Sequence, residues 1–155
     1  MPVKKLKYYL DANDIKYVVI SHSSAFTALD VAESAHFSGN KLAKTVMVKM
    51  DGKMAMAVLP APHKIDFELL KAICAAEQVE LATEDEFTDL FPNCAVGTMP
   101  PFGNLYNMQV YLAEPLTEND EIAFAAGSHS ELLKLSYRDF ARLVKPAIVQ
   151  FSLPR

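Results

Sequence analysis

Four polar interruptions in a largely apolar chain hold the side chains best suited to chemistry. Lys44 precedes the β-like run Thr45-Val46-Met47-Val48-Lys49-Met50. Alternation along a strand puts it on one face with Val46, Val48 and Met50. An ammonium at the mouth of such a face either snorkels into water or meets an anion. Gly97-Thr98-Met99-Pro100-Pro101-Phe102-Gly103 is rigid at its centre and permissive at its ends, because proline fixes φ and lacks an N–H while glycine opens conformations closed to other residues. It is either a plain turn or a loop that offers bare backbone N–H and C=O groups to a ligand. His129 follows Ala126-Gly127-Ser128 after the apolar run Ile122–Ala125. It is either a surface histidine in a turn or, with a pKa near neutrality, a donor or water-orienting group at a site rim. His22 opens the fourth stretch, His22-Ser23-Ser24-Ala25-Phe26-Thr27, where a strand ends and Thr27 has the position of a helix cap.

Other stock chemistries are missing. There is no HExxH, no CxxC and no EF-hand loop, so no metal is expected. There is no Walker or GxGxxG sequence, so no nucleotide cofactor is expected either. No GxSxG elbow marks a serine nucleophile. Cys74 and Cys94 would not be bridged in a cytosolic chain. Cys74 lies on an apolar helical stripe, and Cys94, three residues before Gly97, reads as a small buried residue. His36 and His63 have no partners at informative spacing.

At 155 residues with 51% hydrophobic and 22% charged residues, the chain has the balance of one globular domain over residues 1–155. No run approaches the ~18 apolar residues of a membrane span. The segment Met1-Pro2-Val3-Lys4-Lys5-Leu6 lacks the apolar core of a signal peptide, which points to the cytoplasm. A net charge of −4 argues against a protein that coats nucleic acid, DNA included. It still permits a site that grips a single nucleotide.

The elements that must position these residues follow from local pattern. Val3, Leu6, Tyr9 and Leu10 predict a first helix to Ala12. Tyr17–Ile20 reads as a strand. The capping box Thr27-Ala28-Leu29-Asp30 predicts a helix to about Phe37. Two β-like runs, 45–50 and 53–59, flank Asp51-Gly52 and form the strongest local signal, a hairpin. Asp66 caps a helix carrying Phe67, Leu70 and Cys74, and Thr83-Glu84-Asp85-Glu86 opens a short helix to Phe91. Strands are expected at Gln109–Ala113, Glu121–Ala125 and Leu132–Leu135. A last helix begins after Ser136 and ends near Val144, before Pro146. Strands and helices alternate loosely, which predicts an α/β domain with one mixed, strongly curved sheet surrounded by helices.

Ala43-Lys44-Thr45, the Gly97–Gly103 loop and Ala126-Gly127-Ser128-His129, in this order and at this spacing, resemble the YbaK-like, prolyl-tRNA-synthetase-associated editing domain. The resemblance spans roughly His22 to Val144. It implies the family's fold, a mixed barrel-like sheet ringed by helices, and its activity, hydrolysis of wrongly charged aminoacyl-tRNA. It implies that Lys44 holds the terminal phosphate of the tRNA. The loop, matching the family's Gly-x-x-x-Pro at Gly97 and Pro101, would position the ester carbonyl and the attacking water. Lys44, Gly97 and His129 form the implied catalytic set. His22, Thr27, Thr45, Pro100, Pro101, Phe102, Gly103, Gly127 and Ser128 form the implied substrate-binding set. The missing nucleophile fits, since an aminoacyl ester is already activated and needs only water oriented by backbone groups and a substrate hydroxyl. Thr45 stands where an alanine-specific branch carries Asn. The 100–103 and 127–129 stretches look nearer to relatives acting on other small residues such as Ser or Thr.

The expectation is a free-standing trans-editing deacylase without metal or cofactor. Its partner would be the acceptor end of aminoacyl-tRNA, with a synthetase as a second candidate, and no DNA and no membrane. The rival is a non-catalytic module that binds tRNA ends, a synthetase or a small ligand.

Overall fold

The computed structural model describes residues 4–21, 41–91, 98–127 and 131–154. The helix predicted after Thr27 lies outside the described residues, as does Cys94. The remaining predicted elements form close to their expected bounds. α1 (Lys4–Ala12) buries Leu6 and Leu10, and β1 (Tyr17–Ser21) follows. β2 (Leu42–Met50) and β3 (Lys53–Pro60) make the hairpin, with Met50 opposite Lys53. Asp51 and Gly52 take φ of 52° and 83°, the left-handed pair that a two-residue primed turn requires. The Asp51 carboxylate also accepts from the N–H groups of Glu77 and Gln78, at 2.9 and 2.8 Å. The turn is thereby tied to the segment that enters β5 (Val79–Leu81).

β4 (His63–Ile65) leads into α2 (Phe67–Ile73), whose cap Asp66 accepts from Leu69 N–H at 3.0 Å. The helix expected from Thr83 to Phe91 divides into α3 (Glu84–Phe87) and a 3-10 turn, Thr88–Leu90. The Thr88 hydroxyl donates to Glu84 O, a side-chain bond that competes with a continuing α-helix. β6 (Gln109–Ala113), β7 (Glu121–Ala125) and β8 (Glu131–Ser136) follow. Ser136 then caps α4 (Tyr137–Val144) by accepting from Asp139 N–H at 3.1 Å. The chain closes with two short strands that local pattern did not predict, β9 (Ala147–Val149) and β10 (Ser152–Pro154).

Among the described residues, eight strands join one sheet in the order β1-β8-β7-β2-β3-β6-β9, with β5 also on β2, and β10 pairs β4 apart from it. Pairing is mixed: β7–β2, β3–β6 and β6–β9 are parallel, the rest antiparallel. The sheet ends at β1 and β9 and does not close, so it falls short of the barrel-like form expected.

Both faces of the sheet are buried. One packs Met47, Met56, Val58, Leu112, Phe124 and Leu133 under α1 and α4. The other packs Val48, Ala57 and Leu59 against Leu70 of α2 and Phe151. A fully buried side chain of this size contributes about 1.5–3 kcal/mol, so the paired cores make the central hairpin the most heavily anchored part of the molecule.

Candidate active site

The outer edge of β2 is shared by two strands. β7 pairs with it in parallel at Leu42–Ala43, and β5 pairs antiparallel at Val48–Met50. Among the described residues the ladder lapses between these stretches, and Lys44 and Thr45 stand at the lapse. β7 last pairs at Phe124, opposite Ala43, then leaves β2 through Ala125, Ala126 and Gly127. A small recess of about 90 Å³ opens where the strands part, lined by Leu42, Ala43, Lys44, Thr45, Ala61, Met99 and Ala125.

Two chain segments meet at this split. Gly127 N–H donates to Thr98 O at 2.8 Å, and Gly127 adopts φ 89°, a conformation that favours glycine. Ala126 N–H donates to Glu131 O at 3.1 Å. Lys44, the 98–103 segment and the Gly127 turn, distant in sequence, are thus brought to one place. Thr45 and Thr98 are both buried, and Lys44 is half-buried.

Two of the expected substrate contacts are packed into the protein. Phe102 is 0% exposed. Its ring meets Phe124, Phe140 and Tyr9 edge-on at centroid distances of 5.6, 5.4 and 6.3 Å. It anchors the loop in the core. At Gly103 a Cβ would fall 2.6 Å from both Met108 O and Val110 Cγ2, so this glycine serves close packing against the start of β6. Pro100 and Pro101 are buried as well. The carbonyls of Thr98, Pro100, Phe102 and Gly103 are engaged by backbone N–H groups, so this half of the loop spends them internally. Gly97, Ser128, His129, His22 and Thr27 lie outside the described residues.

One neighbour of Lys44 escaped the sequence pattern. Burial pushes the His63 imidazole below its ordinary pKa, and the nearby charge of Lys44 pushes it further. His63 Nδ1 lies 3.0 Å from Ser152 Oγ, and Ser152 is fully buried. The register carried a signal for it. Lys44 pairs with Leu59, so residues just past the end of β3 must lie near the lysine. Among the described residues no group of three or more His, Cys, Asp or Glu could hold a metal ion, and no helix is long and apolar enough to cross a membrane.

A lysine-bearing split in a mixed α/β sheet, closed by two backbone loops and without a nucleophile motif, suits a site that positions an activated ester. Residues 22–143 match the aminoacyl-tRNA editing domain, and the chain belongs to that family: it is an ester hydrolase acting on aminoacyl-tRNA. It is similar to the multifunctional Ser/Thr-tRNA deacylase ProXp-y of Escherichia coli K12, with 26% identity over 154 residues, 96% of this chain and 91% of the relative. Over 74 residues it is 28% identical to the proline–tRNA ligase of Bacillus mycoides KBAB4, a stretch that makes up 48% of this chain and 13% of the ligase. Its fold matches a crystal structure described as a candidate trans-editing enzyme for prolyl-tRNA synthetase, with TM-score 0.83 and 17% identity across 98% of this chain and 97% of the other.

Proposed function

We propose that residues 1–155 form one free-standing editing domain that works in the cytoplasm and clears a small wrong amino acid from tRNA in trans. The observation that carries this reading is the Gly127 N–H to Thr98 O bond, which joins two of the motif segments next to the recess lined by Lys44, Met99 and Ala125. Lys44 binds a phosphate of the acceptor end. The aminoacyl side chain enters the recess of about 90 Å³, room for a few waters or a small side chain. Water attacks the ester carbonyl, the terminal ribose oxygen leaves with a proton, and the products are the free amino acid and uncharged tRNA. Gly97 serves the developing oxyanion through its backbone, and His129 assists proton transfer. Such positioning and dipoles lower a barrier by several kcal/mol without a protein nucleophile.

The similarity to a Ser/Thr-tRNA deacylase over nearly its whole length favours Ser and Thr as the residues removed. The partial similarity to a proline–tRNA ligase favours a prolyl-tRNA synthetase as a partner. Deacylation of a panel of tRNAs charged with Ala, Ser, Thr, Cys and Pro tests the reading. Turnover of Ser- and Thr-tRNA above the others is expected. No turnover of any would leave a non-catalytic tRNA-end-binding module.

A further inference from the structure

We propose that His63 is a second anion-binding side chain of this site, forming with Lys44 a two-cation clamp on one phosphate of the tRNA acceptor end, oriented by Ser152 of the C-terminal strand. It deepens the deacylase reading above and rests on it.

Strand parity places the two side chains on one side of the molecule. Lys44 shares its face with Val46 and Val48, which pack toward α2 and Phe151. His63 shares its face with Ile65, which packs into the same cluster. The chain passes from β3 to β4 through a tight turn in which Ala61 N–H donates to Leu42 O at 2.7 Å. β4 therefore starts beside the N-terminal end of β2, where Lys44 stands.

The imidazole is held. Ser152 is 0% exposed and its Oγ lies 3.0 Å from His63 Nδ1. The two ring nitrogens point in different directions, so fixing Nδ1 sets the direction of Nε2. In the neutral tautomer that accepts from the Ser152 hydroxyl at Nδ1, Nε2 carries the hydrogen. With the ring protonated, Nδ1–H donates to the Ser152 oxygen and Nε2–H remains. In that tautomer and in the protonated ring Nε2 is a donor suited to an anion, and binding an anion selects these two forms.

The electrostatics make this behaviour measurable. Without a ligand, burial and the Lys44 charge both disfavour a charged ring. β10 presents the uncharged Ser152, the turn from β3 presents Ala61 and Pro62, and Lys64 on the same strand is exposed. Among the described residues, Lys44 is the one charge that bears on the ring. A phosphate between the two groups reverses the balance and raises the imidazole pKa, so binding takes up a proton. The added affinity is fully present below the pKa of the free ring and disappears as pH rises through that of the complex.

The experiment is binding of uncharged tRNA to the full chain at fixed salt, from about pH 8 down to about pH 5.5, the range a histidine spans. Wild-type affinity should rise on acidification, by about tenfold for each unit by which the imidazole pKa rises on binding. His63→Gln keeps an amide for Ser152 but cannot protonate, so its profile should be flatter. Lys44→Ala should weaken binding at every pH. An equally steep profile in His63→Gln would overturn the clamp while leaving the deacylase reading, judged by wild-type turnover, intact. NMR titration of the wild-type histidines gives a second readout that needs no variant: the His63 midpoint should move up when tRNA is added, and an unmoved midpoint refutes the proposal.

Discussion

Gly127→Ala tests whether the split beside Lys44 is a working joint. Gly127 is buried, sits at φ 89° and donates its N–H to Thr98 O at 2.8 Å. An L-residue held in the left-handed region costs about 1–2 kcal/mol. If the backbone rotates to relieve this strain, the N–H leaves Thr98 and a hydrogen bond of about 1 kcal/mol is lost. Either route costs less than the 5–15 kcal/mol stability typical of a domain, so the variant stays folded. The site suffers more, because a shift of about 1 Å between positioning groups costs about 10²-fold in rate. Urea unfolding and single-turnover deacylation of the preferred tRNA, run in parallel, should show a modest drop in midpoint and a loss of about a hundredfold in rate. Gly52→Ala is the matched control. Gly52 has φ 83° with nothing within 4 Å of a built Cβ, and it lies at the far end of the hairpin. It should cost similar stability and leave turnover unchanged. Wild-type turnover in Gly127→Ala, or equal losses in both variants, would refute the joint.

Lys44→Ala should abolish most deacylation with little change in melting temperature, and tRNA binding by the wild type should weaken with salt along a shallow slope, since few phosphates are gripped. His129→Ala should lower turnover by about 10²-fold if the imidazole moves a proton, less than Gly97→Ala, as kcat comparisons would reveal. Phe102→Ala should cost about 3–5 kcal/mol in chemical unfolding, because the ring is fully buried among three others. Glu86 is held down to about 2, first by its bond to Lys49 and then by the Thr83 N–H. A carboxylate depressed in the folded state contributes stability above its unfolded pKa, lost as pH falls toward about 2. Glu86→Gln should therefore lower the melting temperature at neutral pH and converge with wild type in strong acid.

What could be read from sequence was local. Asp51-Gly52 marks its turn because both residues must take positive φ, and Asp66 and Ser136 mark helix starts because their side chains accept from the third residue onward. Lys44 was legible because a cation on an apolar strand face needs a reason. The three-residue strands β9 and β10 were not legible. Their pairings, with β6 and β4, depend on where distant strands come to lie. His63 was missed for the same reason, since Ser152 is 89 residues away. The burial of the Phe102 ring was not legible, because a phenylalanine in a Pro-Gly loop looks the same in sequence whether its ring faces outward or the core.

Size alone points to the end of the hairpin away from the proposed site. A bowl of about 650 Å³ lies by the Asp51-Gly52 turn, lined among others by Met50, Met54, Tyr106, Met108 and Tyr111, while the recess at Lys44 is about 90 Å³. A wide bowl rewards bulk and has no means to reject it. An editing site has the opposite task, to admit a small wrong residue and refuse a larger one, and a small recess refuses by steric exclusion. Exclusion fails between residues of similar size, where one added methyl or hydroxyl changes binding by only about 1–3 kcal/mol. A recess of this kind therefore accepts several small residues. With that recess as the proposed editing pocket, the choice of which tRNA to clear falls to contacts outside it, and with a net charge of −4 these have to be few.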